Sequence, residues 1–153
     1  MKTFAVVLLS TALLSGCSVG EGTVEQALPE MAVYKDAACG CCSQWVEHVK
    51  AYGFPATATN VDDLDAVKAK YNVPRGAQSC HTAIVDGYVI EGHVPAADIQ
   101  KLLKERPAIA GLAVPAMPVG SPGMEVPGIQ PQPYDVLALH KDGTTAVFSS
   151  YNK

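Results

Sequence analysis

The chain has 153 residues, 48% of them apolar and 17% charged, with a formal charge of −4; these values fit one small globular domain. The acidic balance argues against nucleic acid as a partner, because phosphate binding needs clustered Lys and Arg, and no such cluster occurs.

The first residues read as an export signal. Lys2 supplies the charge, Phe4 to Leu14 the short apolar core, and Leu14-Ser15-Gly16-Cys17 closes it. That tetrapeptide resembles the bacterial lipobox, which implies cleavage after residue 16 and a diacylated Cys17 at the head of the mature chain. The apolar run is too short for a membrane-spanning helix. Ser18 after the cysteine points to the outer membrane, on its periplasmic side, and membrane contact is then confined to the lipid anchor. Residues 17–29 have few large apolar side chains and read as a tether. Residues 30–153 form the domain.

Met31 to Lys35 reads as a short buried strand. Ala38-Cys39-Gly40-Cys41-Cys42-Ser43 follows, and from Gln44 to Tyr52 the apolar residues Trp45, Val46, Val49 and Tyr52 fall at helical spacing. The cysteines are therefore expected on a strand-to-helix turn, where unpaired backbone N–H groups favour thiolate. Gly53-Phe54-Pro55 stops the helix. A second strand is expected over Ala56 to Val61, then a short helix capped by Asp62 or Asp63 and carrying Leu64, Val67 and Tyr71. Pro74 to Ala77 breaks it. Cys80 to Val85 and Tyr88 to Gly92 flank Asp86-Gly87, a two-residue hairpin turn. His93-Val94-Pro95 opens a third helix with Ile99, Leu102 and Leu103 on its apolar face. The order is β-α-β-α-β-β-α, with strands that are separated by helices expected to run parallel. Pro107 to Pro133 is a long Pro/Gly/Met loop, expected to be ordered because a β-hairpin, Tyr134 to His140 and Thr144 to Ser149, pins its far end.

This α/β order resembles the thioredoxin fold, with Cys39 and Cys42 as its C-x-x-C. In thioredoxins a cis-Pro followed by Thr precedes the hairpin and faces the cysteines. Here Ser79-Cys80-His81-Thr82 puts a histidine in place of that proline. The resemblance thus implies that Cys80 and His81 are brought to the C-x-x-C.

Four thiols (Cys39, Cys41, Cys42, Cys80), the imidazole of His81 and the thioethers of Met117 and Met124 make a soft donor set. Thiolate and thioether select Cu(I) over hard cations, whereas zinc has little use for thioethers and is the weaker fit. Four thiolates exceed what one Cu(I) requires, which points to sulfur bridging between several ions. Simpler roles stand beside these. Cys39 and Cys42 suit a plain redox pair, making the chain a thiol–disulfide oxidoreductase; Cys41 and Cys80 suit a second bridge or inert small hydrophobes. His81 suits a structural histidine, His93 a hydrogen-bonder at the helix start, His48 a solvated surface residue and His140 a strand residue. Met117 and Met124 suit gap-filling, and Trp45 the core.

Tyr34-Lys35-Asp36, Cys39-Gly40-Cys41-Cys42, Trp45, Ser79-Cys80-His81-Thr82, Gly92-His93-Val94-Pro95-Ala96 and Gly111 to Pro115 with Met117 and Gly123-Met124 together resemble the CopG-type copper-resistance family, domain of unknown function 411. That resemblance covers about residues 31 to 150. It implies a thioredoxin-like periplasmic protein whose cysteines bind copper. Carried over by position, the ligands are Cys39, Cys41, Cys42 and Cys80, with His81, Met117 and Met124 as further candidates. The expected partners are copper ions and other periplasmic copper carriers or efflux components. If the chain is an enzyme, the expected activity is interconversion of Cu(I) and Cu(II), with Cys39 and Cys42 as its redox-active groups.

Overall fold

The computed structural model of the chain describes residues 27–153. The expected signal, Cys17 and most of the tether lie outside the described residues. Among the described residues, no helix is long and apolar enough to cross a membrane.

The expected order is found: β1 (Met31–Lys35), α1 (Gly40–Ala51), β2 (Ala56–Asn60), α2 (Leu64–Lys70), β3 (His81–Val85), β4 (Tyr88–Glu91) and α3 (Ala96–Glu105). Three further strands follow, β5 (Gly111–Ala113), β6 (Tyr134–Leu139) and β7 (Thr145–Tyr151), and all seven share one mixed sheet in the order β2-β1-β3-β4-β5-β6-β7. Trp45, Val46 and Val49 of α1 and Ile99 and Leu102 of α3 join Val33, Ile90 and Leu112 of the sheet in one core. Full burial of an apolar side chain of this size stabilises by about 1.5–3 kcal/mol.

Three local expectations need correction. First, helix α1 begins at Gly40, well before Gln44, so Cys41 and Cys42 lie in its first turn and Cys39 is its N-cap. The buried residues Cys42, Trp45, Val46 and Val49 keep the i, i+3, i+4, i+7 spacing, with Cys42 acting as an apolar member of the stripe. Second, β3 runs antiparallel to β1, although α2 separates it from β2. The register explains why. Lys35 at the end of β1 pairs with Asn60, the last residue of β2, and with His81, the first residue of β3. A seven-residue helix, about 10 Å long, brings the chain back to the end it left, so β3 must run down the sheet. Third, Gly111 to Ala113 leaves the expected loop as β5, parallel to β4. Three residues are too few to display a period of two.

The remaining loop folds over the domain as expected, and Gly123 shows how closely. At φ +82°, a Cβ there would stand 2.8 Å from the Trp45 nitrogen and 2.9 Å from the Cys41 oxygen. The loop therefore lies directly on the cysteine turn of α1, and only glycine fits at the contact. The closing hairpin pairs with β5 and so extends the main sheet.

Candidate metal centre

The site forms at the end of β1, where β2 stops and β3 starts. Asp36 shapes the turn: its carboxylate accepts from the Ala38 N–H at 2.7 Å and its carbonyl from the Cys39 N–H at 3.1 Å. The Cys39 sulfur then accepts from the Cys42 N–H at 3.3 Å, capping the helix. Cys39 and Cys42 are joined as a disulfide. Cys41 and Cys80 are free thiols, each half-buried. The Cys41 sulfur is 3.6 Å from that of Cys39, and the sulfurs of Cys39, Cys41, Cys42 and Cys80 all lie within 4.8 Å of one another. Two segments far apart in sequence thus meet at one pocket.

A second group overlaps the first at Cys80, where Cys80, His81 and His93 also converge within 4.8 Å. The Cys80 sulfur stands 3.4 Å from Nδ1 of His81 and 3.0 Å from Nε2 of His93. His93 is fully buried, and its Nδ1 donates to the Pro122 carbonyl at 2.7 Å. That bond leaves Nε2 as the lone-pair nitrogen facing Cys80, the way metal-ligating histidines are commonly oriented. His81 is also fully buried, its ring tilted against Trp45 at 4.4 Å and edge-on to His93 at 5.2 Å. Its Nε2 has no hydrogen-bond partner among the described residues. The nitrogen of His81 that faces the Cys80 thiol is Nδ1, and it is the one placed to act as a ligand there.

Burial favours the neutral form of each of these groups. Burial, and then the neighbouring Cys41, pushes the Cys80 thiol up to about 11. Burial, followed by the charges of His93, Lys68 and Lys35, holds His81 well below the usual histidine range, and burial also lowers His93. Neutral imidazoles could ligate a metal directly, whereas the Cys80 thiol would have to give up its proton to do so.

The expected site residues separate by position. The four cysteines and His81 are brought together. Met124, half-buried, follows Gly123 at the cysteine turn. Met117 is 47% exposed and lines a cavity of about 440 Å³ with Pro115, Gln132, Tyr134 and Leu137, a wall that holds no cysteine or histidine. Trp45 belongs to the core and donates to the Val94 carbonyl at 2.8 Å. His48, read from sequence as a solvated residue, is instead half-buried and accepts from the Ala96 N–H at 3.1 Å, at the start of α3. It lies where α1 crosses the first turn of α3, so the helix period alone does not reveal its partner.

Sequence reasoning missed His93 as a member of the pocket, and it missed the polar group beneath. Glu91, fully buried, accepts from Lys68 Nζ at 2.5 Å, the Ser79 N–H at 2.7 Å and the Thr82 hydroxyl at 2.7 Å. The signal for His93 was present in the hairpin. The two-residue Asp86-Gly87 turn pairs Val85 with Tyr88 and Thr82 with Glu91, and continuing that count sets residue 93 opposite residue 80.

Residues 77–124 match the family model described as "Protein of unknown function, DUF411". Two solved structures, forms 1 and 2 of copper resistance protein CopG, resemble this chain. Each is 46% identical to it, with a TM-score of 0.77, covering 82% of this chain and 99% of its own. No curated protein matches the chain.

Proposed function

The chain belongs to the DUF411 family of copper resistance protein CopG, and from that premise we propose that it is a cell-envelope protein that holds Cu(I) in its sulfur pocket. One observation carries the reading: four cysteine sulfurs from two distant segments lie within 4.8 Å of one another. Such a set is soft, matches Cu(I), and offers more sulfur than one ion uses. The ligands we assign are Cys39, Cys41, Cys42, Cys80 and His81, with His93 added by its position and Met124 as an outer thioether; Met117, on a wall without cysteine or histidine, is not assigned. The scaffold is read as thioredoxin-like, supported by the β-α-β-α-β-β-α order and by Cys39 and Cys42 opening α1. The lipobox at Cys17 supports a periplasmic protein anchored to the outer membrane that exchanges copper with periplasmic carriers or efflux components.

Opening the Cys39–Cys42 disulfide takes two electrons and two protons, and re-forming it returns two electrons, enough to reduce two Cu(II) to Cu(I). This is the redox half of the proposal. Anaerobic titration of the fully reduced chain with Cu(I) tests the binding half. More than one ion per chain is expected, with fewer in Cys80→Ser, and saturation at a single ion would rule out a cluster. For the redox half, Cys39→Ser with Cys42→Ser is expected to slow copper oxidation and reduction, and unchanged kinetics would overturn it.

The disulfide also favours a second reading, a thiol–disulfide oxidoreductase using Cys39 and Cys42 alone. It predicts that disulfide reduction of a protein substrate survives Cys80→Ala, whereas the copper reading predicts lost metal capacity in that variant.

A further inference from the structure

The free thiol that completes the pocket stands on a segment with little regular structure of its own. Cys80 lies between the short helical turn Arg75–Ala77 and the first residue of β3, yet its neighbours are fixed on every side. The Ser79 N–H is held by Glu91, and the Ser79 hydroxyl donates to the Ala116 carbonyl. Gly92, at φ +70°, presses so closely that a Cβ there would stand 2.4 Å from the Ser79 hydroxyl oxygen. Glu91 itself is anchored by Lys68, whose Nζ also reaches the Thr82 hydroxyl at 3.2 Å. Lys68 and Glu91 side chains are 4% and 0% exposed.

Burying such a pair is costly, and an apolar pair of equal volume is often as stable or more so. Bulk stability therefore does not account for it. What the pair does locally is specific, because one carboxylate ties together α2, the residue before Cys80 and the start of β3. We propose that Glu91, held in place by Lys68, is a positioning residue that sets Cys80 against Cys41 through the Ser79 N–H. Its effect on copper rests on the four-sulfur reading above, while its effect on the position of Cys80 does not.

The test measures that position without metal. In the chain with the Cys39–Cys42 disulfide intact, a fluorogenic bis-alkylating bimane joins Cys41 to Cys80 where the thiols are adjacent, and the joined peptides are identified by mass spectrometry. Lys68→Met with Glu91→Leu removes both charges together and takes away the acceptor for Ser79. We expect this double variant to keep its circular dichroism and lose the Cys41–Cys80 adduct about tenfold, with Cu(I) capacity falling to that of Cys80→Ser. Lys68→Met with Glu91→Gln keeps an amide oxygen for the Ser79 N–H and is expected to retain most of the adduct. Wild-type adduct yield in the leucine variant overturns the proposal, and so does equal loss in both variants. Should the leucine variant fail to fold, amide exchange in the wild-type chain decides. The Ser79 N–H is expected among the slowest amides, and exchange as fast as that of exposed Gly76 overturns the assignment. A wild-type chain that cross-links as expected but binds a single Cu(I) sinks the cluster reading and leaves this one standing.

Discussion

The β3–β4 hairpin carries an ion pair at each end, and the two differ in every physical respect. At the turn, Arg106 bridges Asp86 with side chains 59% and 36% exposed, on a surface where water screens the attraction. At the open end, Lys68 and Glu91 meet almost wholly out of water, with Thr82 and the Ser79 N–H taking up the remaining valences. Sheet and core are shared, so the difference is local. Buried polar groups collect where Cys80, His81 and His93 must be held, and exposed pairs suffice where only a turn must close.

The sharpest way to break that contrast is to remove one partner at the open end. Glu91→Ala leaves the Lys68 ammonium buried without a counter-charge and is expected to cost about 3–5 kcal/mol, read as a lowered urea midpoint. A loss under about 1 kcal/mol, the worth of an exposed pair, would make the two ends equivalent. Single truncation should be far more damaging than the charge-free double replacement, since only the single variant strands a charge.

Much of this contrast was open to the sequence, and the remainder was hidden for identifiable reasons. The order of elements through α3 followed from periodicity, the Asp63 cap and the Asp86-Gly87 turn, all local signals. The meeting of Cys80 with the C-x-x-C was legible through the resemblance of the element order to that of thioredoxins. Lys68 was not, because on α2 a lysine between Val67 and Ala69 looks solvated until the partner on β4 is known. His93 was passed over although the hairpin count placed it opposite Cys80. The direction of β3 depended on where the α2 connection returned, which no periodicity encodes.

A middle-sized effect tests how the cysteine end reaches the rest of the fold. His48 Nε2 accepts the Ala96 N–H, so it must be unprotonated to cap α3. Burial lowers its affinity for a proton, the Glu125 carboxylate opposes this, and the Tyr52 ring lies tilted against it at 4.8 Å. Because the folded-state pKa lies below the unfolded value of about 6.5, the unfolded chain binds the proton more readily. The cap's contribution is thus complete above about pH 6.5 and fades as pH falls through the folded value. Loss of a cap costs about 1 kcal/mol. The difference in stability between wild type and His48→Ala is therefore expected to shrink from pH 7 to pH 5. A difference that stays constant over that range would show that the contact does not depend on a neutral ring.

The smallest effect belongs to the exposed end, where a backbone term competes with the ion pair. Arg106 caps α3 in the left-handed region at φ 52°, ψ 45°, a conformation that favours glycine over any residue with a Cβ. Arg106→Ala keeps the Cβ and removes only the pair with Asp86, so a loss of no more than about 1 kcal/mol is expected, diminishing as salt is added. Arg106→Gly removes the same pair but relieves the left-handed strain, worth about 1 kcal/mol in the opposite direction. The glycine variant should therefore match or exceed wild type in urea unfolding and exceed the alanine variant at every salt concentration. If alanine proves the more stable of the two, the turn end depends on something other than a screened surface pair and a glycine-favouring cap. The hairpin would then be tied down at both ends, and burial would no longer be what distinguishes the end beside the cysteines.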